Sequence, residues 1–237
     1  MKKVIPILLS VMLFHLPSAA AGNNGRDRIT PDISWGGKLG FTSCSTYLAD
    51  ASVGGKEFED YTQDTQLGNF ISVIMQYGYD RLFVQTGLGI GLNKSAFQVD
   101  LNEHVPNSFA PDGLELEYRM TSVFLPVQIG CSVVNLPPYR MSLYAGPSMR
   151  IQSLNRYVCK VSDKSGFSLS ETPRRFLFGG TCGFCVQTGR TFFDMEYELV
   201  ISNISKRLAI TAESDAAQDL KLGRRMGIFS FSYGIIF

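Results

Sequence analysis

The chain has 237 residues, with 22 Lys and Arg against 21 Asp and Glu, so its formal net charge is +1. A balance this close to neutral gives no electrostatic case for binding nucleic acid or for a polybasic patch on a membrane surface. The length is enough for one all-β domain after an export signal.

The first 21 residues have the layout of a secretory signal peptide. A positively charged start precedes an apolar run that ends at Leu16, and Ala19 and Ala21 form a small-x-small cleavage site. The run is too short to cross a bilayer as a helix, which needs about 20 apolar residues. We therefore expect residues 1–21 to be removed and residues 22–237 to form a single mature domain. Loss of two lysines with the signal changes the formal charge from +1 to −1.

Beyond the signal, apolar residues recur at every second position, which indicates β-strands and not helices. In the first such segment Trp35 and Leu39 alternate with Gly36 and Lys38, and later segments repeat the pattern. Eight segments carry it, and their apolar faces begin at Ile33, Ile71, Leu82, Val123, Met141, Phe176, Phe193 and Phe229.

The fourth segment, from about Leu114 to Cys131, is the least regular. Val123 and Ile129 belong to its apolar face, but the apolar residue Met120 has the opposite parity. A β-bulge near Thr121-Ser122 would reconcile the two halves, because an extra residue reverses the side to which the following side chains point.

Short and long connections alternate between the predicted strands. An even number of strands of about 10 residues, with short turns at one end and long loops at the other, is typical of transmembrane β-barrels. We therefore predict a closed eight-stranded antiparallel up-and-down barrel with four long external loops. The short connections are Asp80-Arg81, 134–139 and 188–190, and the long ones are about 44–66, 94–113, 152–174 and 203–221.

The two faces of the strands favour a membrane barrel over a soluble one. The apolar faces carry Phe, Tyr, Leu, Ile and Met without a charge in the strand interiors, as expected where they meet lipid. The opposite faces are rich in Gly and Ser, which suit the narrow interior of an eight-stranded barrel, whereas a water-facing surface would be rich in Lys and Glu. A soluble periplasmic lipocalin-like barrel that binds a ligand is kept as an alternative.

The last strand resembles the C-terminal signal that the barrel-assembly machinery reads in outer-membrane proteins. It carries Phe231, Tyr233, Ile235 and Phe237 at alternate positions of one face. We therefore expect the protein in the outer membrane, with outer-membrane lipid and the assembly machinery as partners.

Four segments of the second half carry motifs of a known family. They are Val123–Ile129 (VFLPVQI), Leu143–Ser148 (LYAGPS), Glu196–Ile204 (EYELVISNI) and the terminal strand. Together they resemble the PorT-like outer-membrane β-barrel domain family of Bacteroidetes-type bacteria, over most of residues 114–237. The resemblance implies an outer-membrane barrel and no particular role within the family, one member of which is linked to protein secretion.

The same alternation points a set of charged residues into the barrel. Opposite charges in a narrow interior of low dielectric should pair, because an unpaired buried charge is costly. We predict a salt-bridge network that plugs the lumen, with a narrow pore for small solutes or ions as the alternative. The residues are Lys38, Arg140, Arg150, Arg175, Asp194, Glu196 and Glu198.

The sequence shows no catalytic, cofactor-binding or metal-binding constellation. His104, the sole histidine after the signal, lies in a predicted loop near Ser108, and a lone loop histidine does not make a catalytic triad. Cys182 and Cys185 have C-x-x-C spacing, but on a strand they would lie on opposite faces, too far apart for a disulfide. We therefore expect no enzyme, cofactor or metal, and a structural, adhesion or partner-binding role through the loops.

Overall fold

In the computed structural model the described residues form twelve β-strands. The predicted signal peptide, residues 1–21, and His104 lie outside the described residues. Within the described ranges, no helix is long and apolar enough to cross a membrane. The structure describes residues 32–53, 56–57, 61–99, 114–161, 167–212 and 220–237.

Eight of the strands form one closed antiparallel barrel. Each pairs with the next in chain order, and the last closes the ring by pairing with the first, so that Gly36 lies opposite Ile236 and Phe41 opposite Phe231. The predicted eight-stranded up-and-down barrel is therefore confirmed. The barrel strands are β1 (Asp32–Val53), β4 (Gln66–Tyr79), β5 (Leu82–Val99), β6 (Leu114–Leu136), β7 (Tyr139–Val161), β9 (Phe176–Thr188), β10 (Thr191–Val200) and β12 (Leu220–Ile236).

Two-residue turns join the strands at one end of the barrel, which we term the short-turn end. They are Asp80-Arg81, Pro137-Pro138 and Gly189-Arg190, at the three predicted short connections. Asp80 (φ 55°) and Gly189 (φ 59°) have left-handed backbone conformations, which are common in tight hairpin turns and which Gly and Asp tolerate best. The opposite end is the long-loop end.

The connections at the long-loop end contain far more strand than the sequence predicted. β1, β5 and β7 continue to Val53, Val99 and Val161, so the predicted loop boundaries near residues 44, 94 and 152 are wrong. Continued pairing satisfies the backbone N–H and C=O groups of these segments. Their sequences mix polar, small and apolar residues and lack the sustained alternation of large apolar residues that identified the other strands. Four short strands add to them: β2 (Lys56–Glu57) on β1, β3 (Tyr61–Asp64) on β5, and β8 (Phe167–Pro173) paired with β11 (Ser205–Ala212) in a separate sheet.

Side chains alternate between the two faces of the barrel wall. Along β4 and β10 every second residue is buried. Outward side chains are large and apolar, with Phe41 and Ile71 each 64% exposed, while the inner neighbour Ser72 is 4% exposed. We term this outer surface the apolar belt. Because a soluble barrel has the reverse distribution, the lipocalin-like alternative is not favoured.

Strand β6 keeps one parity from Arg119 to Ser132, contrary to the switch predicted near Thr121-Ser122. The register does shift between Thr121 and Ser122, but Thr121 pairs with Leu154 and Ser122 with Gln152, so the extra residue lies on β7. Met120 is 1% exposed, inside the barrel. Met120 therefore differs in parity from Val123 and Ile129 because its apolar side chain points into the barrel, not because the strand contains a bulge.

Candidate functional site: the filled lumen

A network of buried charges occupies the middle of the lumen. Lys38 Nζ lies 2.6 Å from Asp194 Oδ2 and 3.4 Å from Glu196 Oε2. The Tyr144 hydroxyl donates to Asp194 and, at 3.3 Å, to Glu196. Gln128 Nε2 donates to Glu196 Oε2 at 3.2 Å. All five side chains are buried, and each carboxylate receives both a cation and neutral donors, as buried charges require.

A second ion pair lies closer to the long-loop end. Arg150 Nε donates to Glu198 Oε2 at 2.8 Å, and Nη1 donates to Ser122 Oγ at 2.9 Å. Ser148 Oγ donates to the other Glu198 oxygen, Oε1, at 2.8 Å. The guanidinium also sits 5.0 Å from the centroid of the Phe124 ring, within cation–π range.

The strand sequence explains why these charges meet. The acids of β10 are spaced by two, so all three point inward and follow one another at about 7 Å along the wall. Between β1 and β10, strand β12 contributes Ser230 and Ser232, which pair with Glu196 and Asp194 in the ladder. Their short side chains leave room for Lys38 of β1 to reach across β12 to the acids of β10.

Apolar side chains cap the lumen at the long-loop end. They come from five strands and from Ile204, which follows β10, and each is at most 2% exposed. Ile204 is held there by backbone bonds from its N–H to Arg224 O (2.8 Å) and from Arg174 N–H to its own carbonyl (2.9 Å). The cap consists of Cys44, Met120, Leu177, Val200, Ile204, Met226 and Ile228.

Two aromatic rings fill the lumen near the short-turn end. Phe83 and Phe192 are each 3% exposed. They occupy the space that the missing side chains of Gly130 and Gly234 leave, since a Cβ at either glycine would lie within 2.2 Å of a ring atom. The lumen is therefore filled in three layers: aromatic, charged and apolar.

The predicted lumen residues divide into two groups. The structure brings Lys38, Arg150 and the three acids of β10 together, and it places Arg140 at the short-turn end. There Arg140 Nε donates to Ser132 Oγ at 2.6 Å, and the guanidinium lies 5.5 Å from the Phe83 ring.

Arg175 does not point into the lumen, contrary to the prediction. It is exposed in the bend before β9, with its guanidinium 6.0 Å from the ring of Phe176, whose side chain is 51% exposed. The strand begins at Phe176, so the period-two rule does not extend to Arg175.

Sequence reasoning did not identify several members of the charged network. Tyr144 has the same parity as Arg140 and Arg150 on β7, and Gln128 occupies an inner position of β6, so parity could have identified both. The apolar cap was missed because parity assigns each residue to a face but does not show which inward apolar side chains meet in one layer.

A small cavity remains between the two ion pairs. Its volume of about 10 Å³ is room for about one water molecule. Lys38, Thr42, Asn93 and Glu196 are among its lining residues. The Asn93 Nδ2 atom is buried there without a hydrogen-bond partner, which makes one bridging water a physically reasonable occupant.

No group of three or more His, Cys, Asp or Glu side chains in the described residues is arranged to hold a metal ion. Cys182 is exposed and Cys185 is half-buried, and both are free thiols.

One protein family matches most of the chain. A family profile described as "Outer membrane protein beta-barrel domain" matches residues 24–206. The chain belongs to this family. It is therefore an outer-membrane β-barrel protein, and the narrower PorT-like resemblance stays a prediction. No curated protein matches the sequence.

Solved outer-membrane barrels resemble this protein at low sequence identity. OprG of Pseudomonas aeruginosa is 11% identical, with a TM-score of 0.49 over 86% of this chain and 95% of that chain. Neisserial surface protein A is 12% identical, with a TM-score of 0.40 over 87% of this chain and 98% of that chain. Ail of Yersinia pestis, solved with the heparin analogue sucrose octasulfate, is 9% identical, with a TM-score of 0.34 over 87% of this chain and 99% of that chain.

Proposed function

We propose that this outer-membrane barrel is a non-conducting, non-enzymatic anchor that presents its long-loop end outside the cell for adhesion, partner binding or envelope organisation. Export through the predicted cleaved signal peptide, residues 1–21, is part of the proposal. One observation carries it: the lumen is filled by mutually paired charges and capped by apolar side chains.

The filled lumen opposes the alternative of a narrow pore. Every carboxylate of the middle layer is paired with Lys38 or Arg150, which leaves a permeating ion little to bind. An ion that passed them would still lose its hydration among the seven apolar side chains of the cap, and such desolvation is costly. The cavity between the ion pairs accommodates about one water molecule and no sugar or amino acid.

Single-channel recording in planar bilayers tests the closed lumen. We expect no sustained conductance from the wild-type protein. The variant Met120→Ser/Met226→Ser makes the cap polar and should produce brief openings. The matched variant Met75→Ser/Met195→Ser changes two methionines of the apolar belt, 49% and 43% exposed, and should stay silent. Sustained wild-type conductance would overturn the proposal in favour of the narrow pore.

The separate sheet of β8 and β11 offers a test of the binding role. Because it is not part of the barrel sheet, a variant without these two strands should still migrate as a heat-modifiable barrel. Cells that display the wild-type protein should adhere to extracellular-matrix surfaces better than cells that display the shortened variant. Equal adhesion of both strains and of a strain without the protein would contradict a role in adhesion.

A further inference from the structure

Two tyrosine side chains meet on the outer face of the barrel. Tyr47 of β1 and Tyr197 of β10 lie on opposite sides of β12, and their hydroxyl oxygens are 3.4 Å apart. Gly227 of β12 lies beneath them, and a Cβ at this glycine would lie 2.6 Å from the Tyr197 hydroxyl and 2.9 Å from the Tyr47 ring. A larger residue there would push the two hydroxyls apart. We term Tyr47 and Tyr197 the tyrosine pair.

The tyrosine pair lies at the level of the lipid head groups. Gly227 precedes Phe237, at the short-turn edge of the apolar belt, by ten residues. With a rise of about 3.4 Å per residue and a strand tilt of about 40°, this separation is about 26 Å along the membrane normal, against about 25 Å for the apolar band of such barrels. Phe229, the next outward residue of β12 toward the short-turn end, is 43% exposed on the belt. A lipid beside the pair can therefore keep its acyl chains on the belt and its head group at the hydroxyls.

The pair and a neighbouring arginine present a surplus of hydrogen-bond donors. One hydroxyl of the pair donates to the other, so one of the two O–H hydrogens remains for another acceptor. Arg225 lies directly opposite Tyr47 in the ladder and is exposed at the next outward position of β12 beyond Gly227, about 7 Å along the strand. Its guanidinium carries five N–H donors and no acceptor. The combination favours a negatively charged group with several acceptor oxygens.

We propose that Tyr47, Tyr197 and Arg225 bind a phosphate group of an outer-leaflet lipid. Guanidinium groups match phosphate oxygens in geometry and charge, and a phenolic hydroxyl donates to the same acceptors. The acyl chains add contact with the apolar belt, which inorganic phosphate does not gain. Gly227 is a positioning residue, because it acts through the tyrosine pair. The proposal goes beyond the closed lumen and does not depend on it.

Lipid binding by the purified protein tests this site. Native mass spectrometry in a neutral detergent would compare bisphosphorylated lipid A, the same lipid without phosphates, and inorganic phosphate as a competitor. The variant Tyr47→Phe/Tyr197→Phe removes the two hydroxyls and keeps the rings. The matched control Tyr77→Phe/Tyr79→Phe changes tyrosines near the short-turn end that are 47% and 53% exposed. A heat-dependent gel shift verifies that each variant is folded.

Two further pairs of variants separate charge from position. Arg225→Gln removes the charge of the site, and its control Arg190→Gln removes an exposed charge from a short turn. Gly227→Ala pushes the tyrosine pair apart. Its control is Gly37→Ala, an outward glycine of β1 at which a Cβ would meet its nearest atom at 3.7 Å.

We expect the wild-type protein to retain bisphosphorylated lipid A and to lose most of it when the phosphates are removed. The tyrosine variant and Arg225→Gln should each bind about fivefold more weakly, because each loses donors to a charged group at an exposed site. Gly227→Ala should also bind more weakly, and the three controls should bind as the wild type does. Equal binding of the phosphate-free lipid, or wild-type affinity in any of the three test variants, would overturn the proposal. Displacement by millimolar inorganic phosphate would also overturn it, since the site would then be one for soluble anions.

Discussion

The Arg150–Glu198 pair gives the sharpest energetic test of a filled lumen. Both residues are 4% exposed, so removing one partner leaves an uncompensated buried charge. Such a change costs about 3–5 kcal/mol in the free energy of unfolding, whereas replacing both partners by apolar residues is close to neutral. We therefore expect Arg150→Met and Glu198→Leu to be strongly destabilising alone and their combination to cost less than either. The coupling energy should be on the order of 3 kcal/mol or more.

Urea unfolding of the protein in lipid vesicles measures this cycle. The chain has a single tryptophan, Trp35, whose fluorescence reports folding without interference from other tryptophans. The free energies follow from the transition midpoints, provided that the slopes of the four proteins agree. Single changes that cost less than about 1 kcal/mol would show that both groups are hydrated, as exposed pairs are. That result would refute the filled lumen and favour a water-filled path.

Two further predictions concern packing and assembly. Gly183→Ala should destabilise the barrel by about 1–3 kcal/mol, because its Cβ would lie 2.3 Å from the Tyr144 ring. Gly180→Ala, whose Cβ would meet one atom at 3.9 Å, should be nearly neutral in the same urea assay. If the terminal strand is an assembly signal, Phe237→Ala should lower the heat-modifiable fraction in the outer membrane more than Phe193→Ala, a comparably exposed aromatic. Equal fractions for the two variants would contradict that role.

The barrel was predictable because one physical rule governs most of it. Side chains of a strand alternate with a period of two, so the sequence places Ile71 outside and Ser72 inside once the outer face is assigned to lipid. The same parity places the acids of β10 in the lumen. The turns at Asp80 and Gly189 were predictable because short connections with left-handed residues mark tight hairpins.

Sequence reasoning missed the features of the lumen and of the strand ends that the alternation of side chains does not determine. This alternation gives no distance between strands, so it did not reveal that Lys38 reaches across β12 to the acids of β10. It does not show which inward apolar side chains meet in one layer, so the cap around Met120 was not recognised. It holds only within a strand, and Arg175 lies just outside one. The strand extensions within the predicted loops were also missed, because their sequences lack a sustained alternation of large apolar residues.

The most direct test of the membrane barrel is to measure whether its outer face contacts lipid or water. Trp35 lies on that face, 53% exposed, with its ring 5.0 Å from that of Phe237. In vesicles of phospholipids brominated on their acyl chains, we expect strong quenching of Trp35 fluorescence by the lipids. Aqueous iodide should quench the same fluorescence only weakly. Strong quenching by iodide without an effect of the brominated lipids would place this face in water and contradict a membrane barrel.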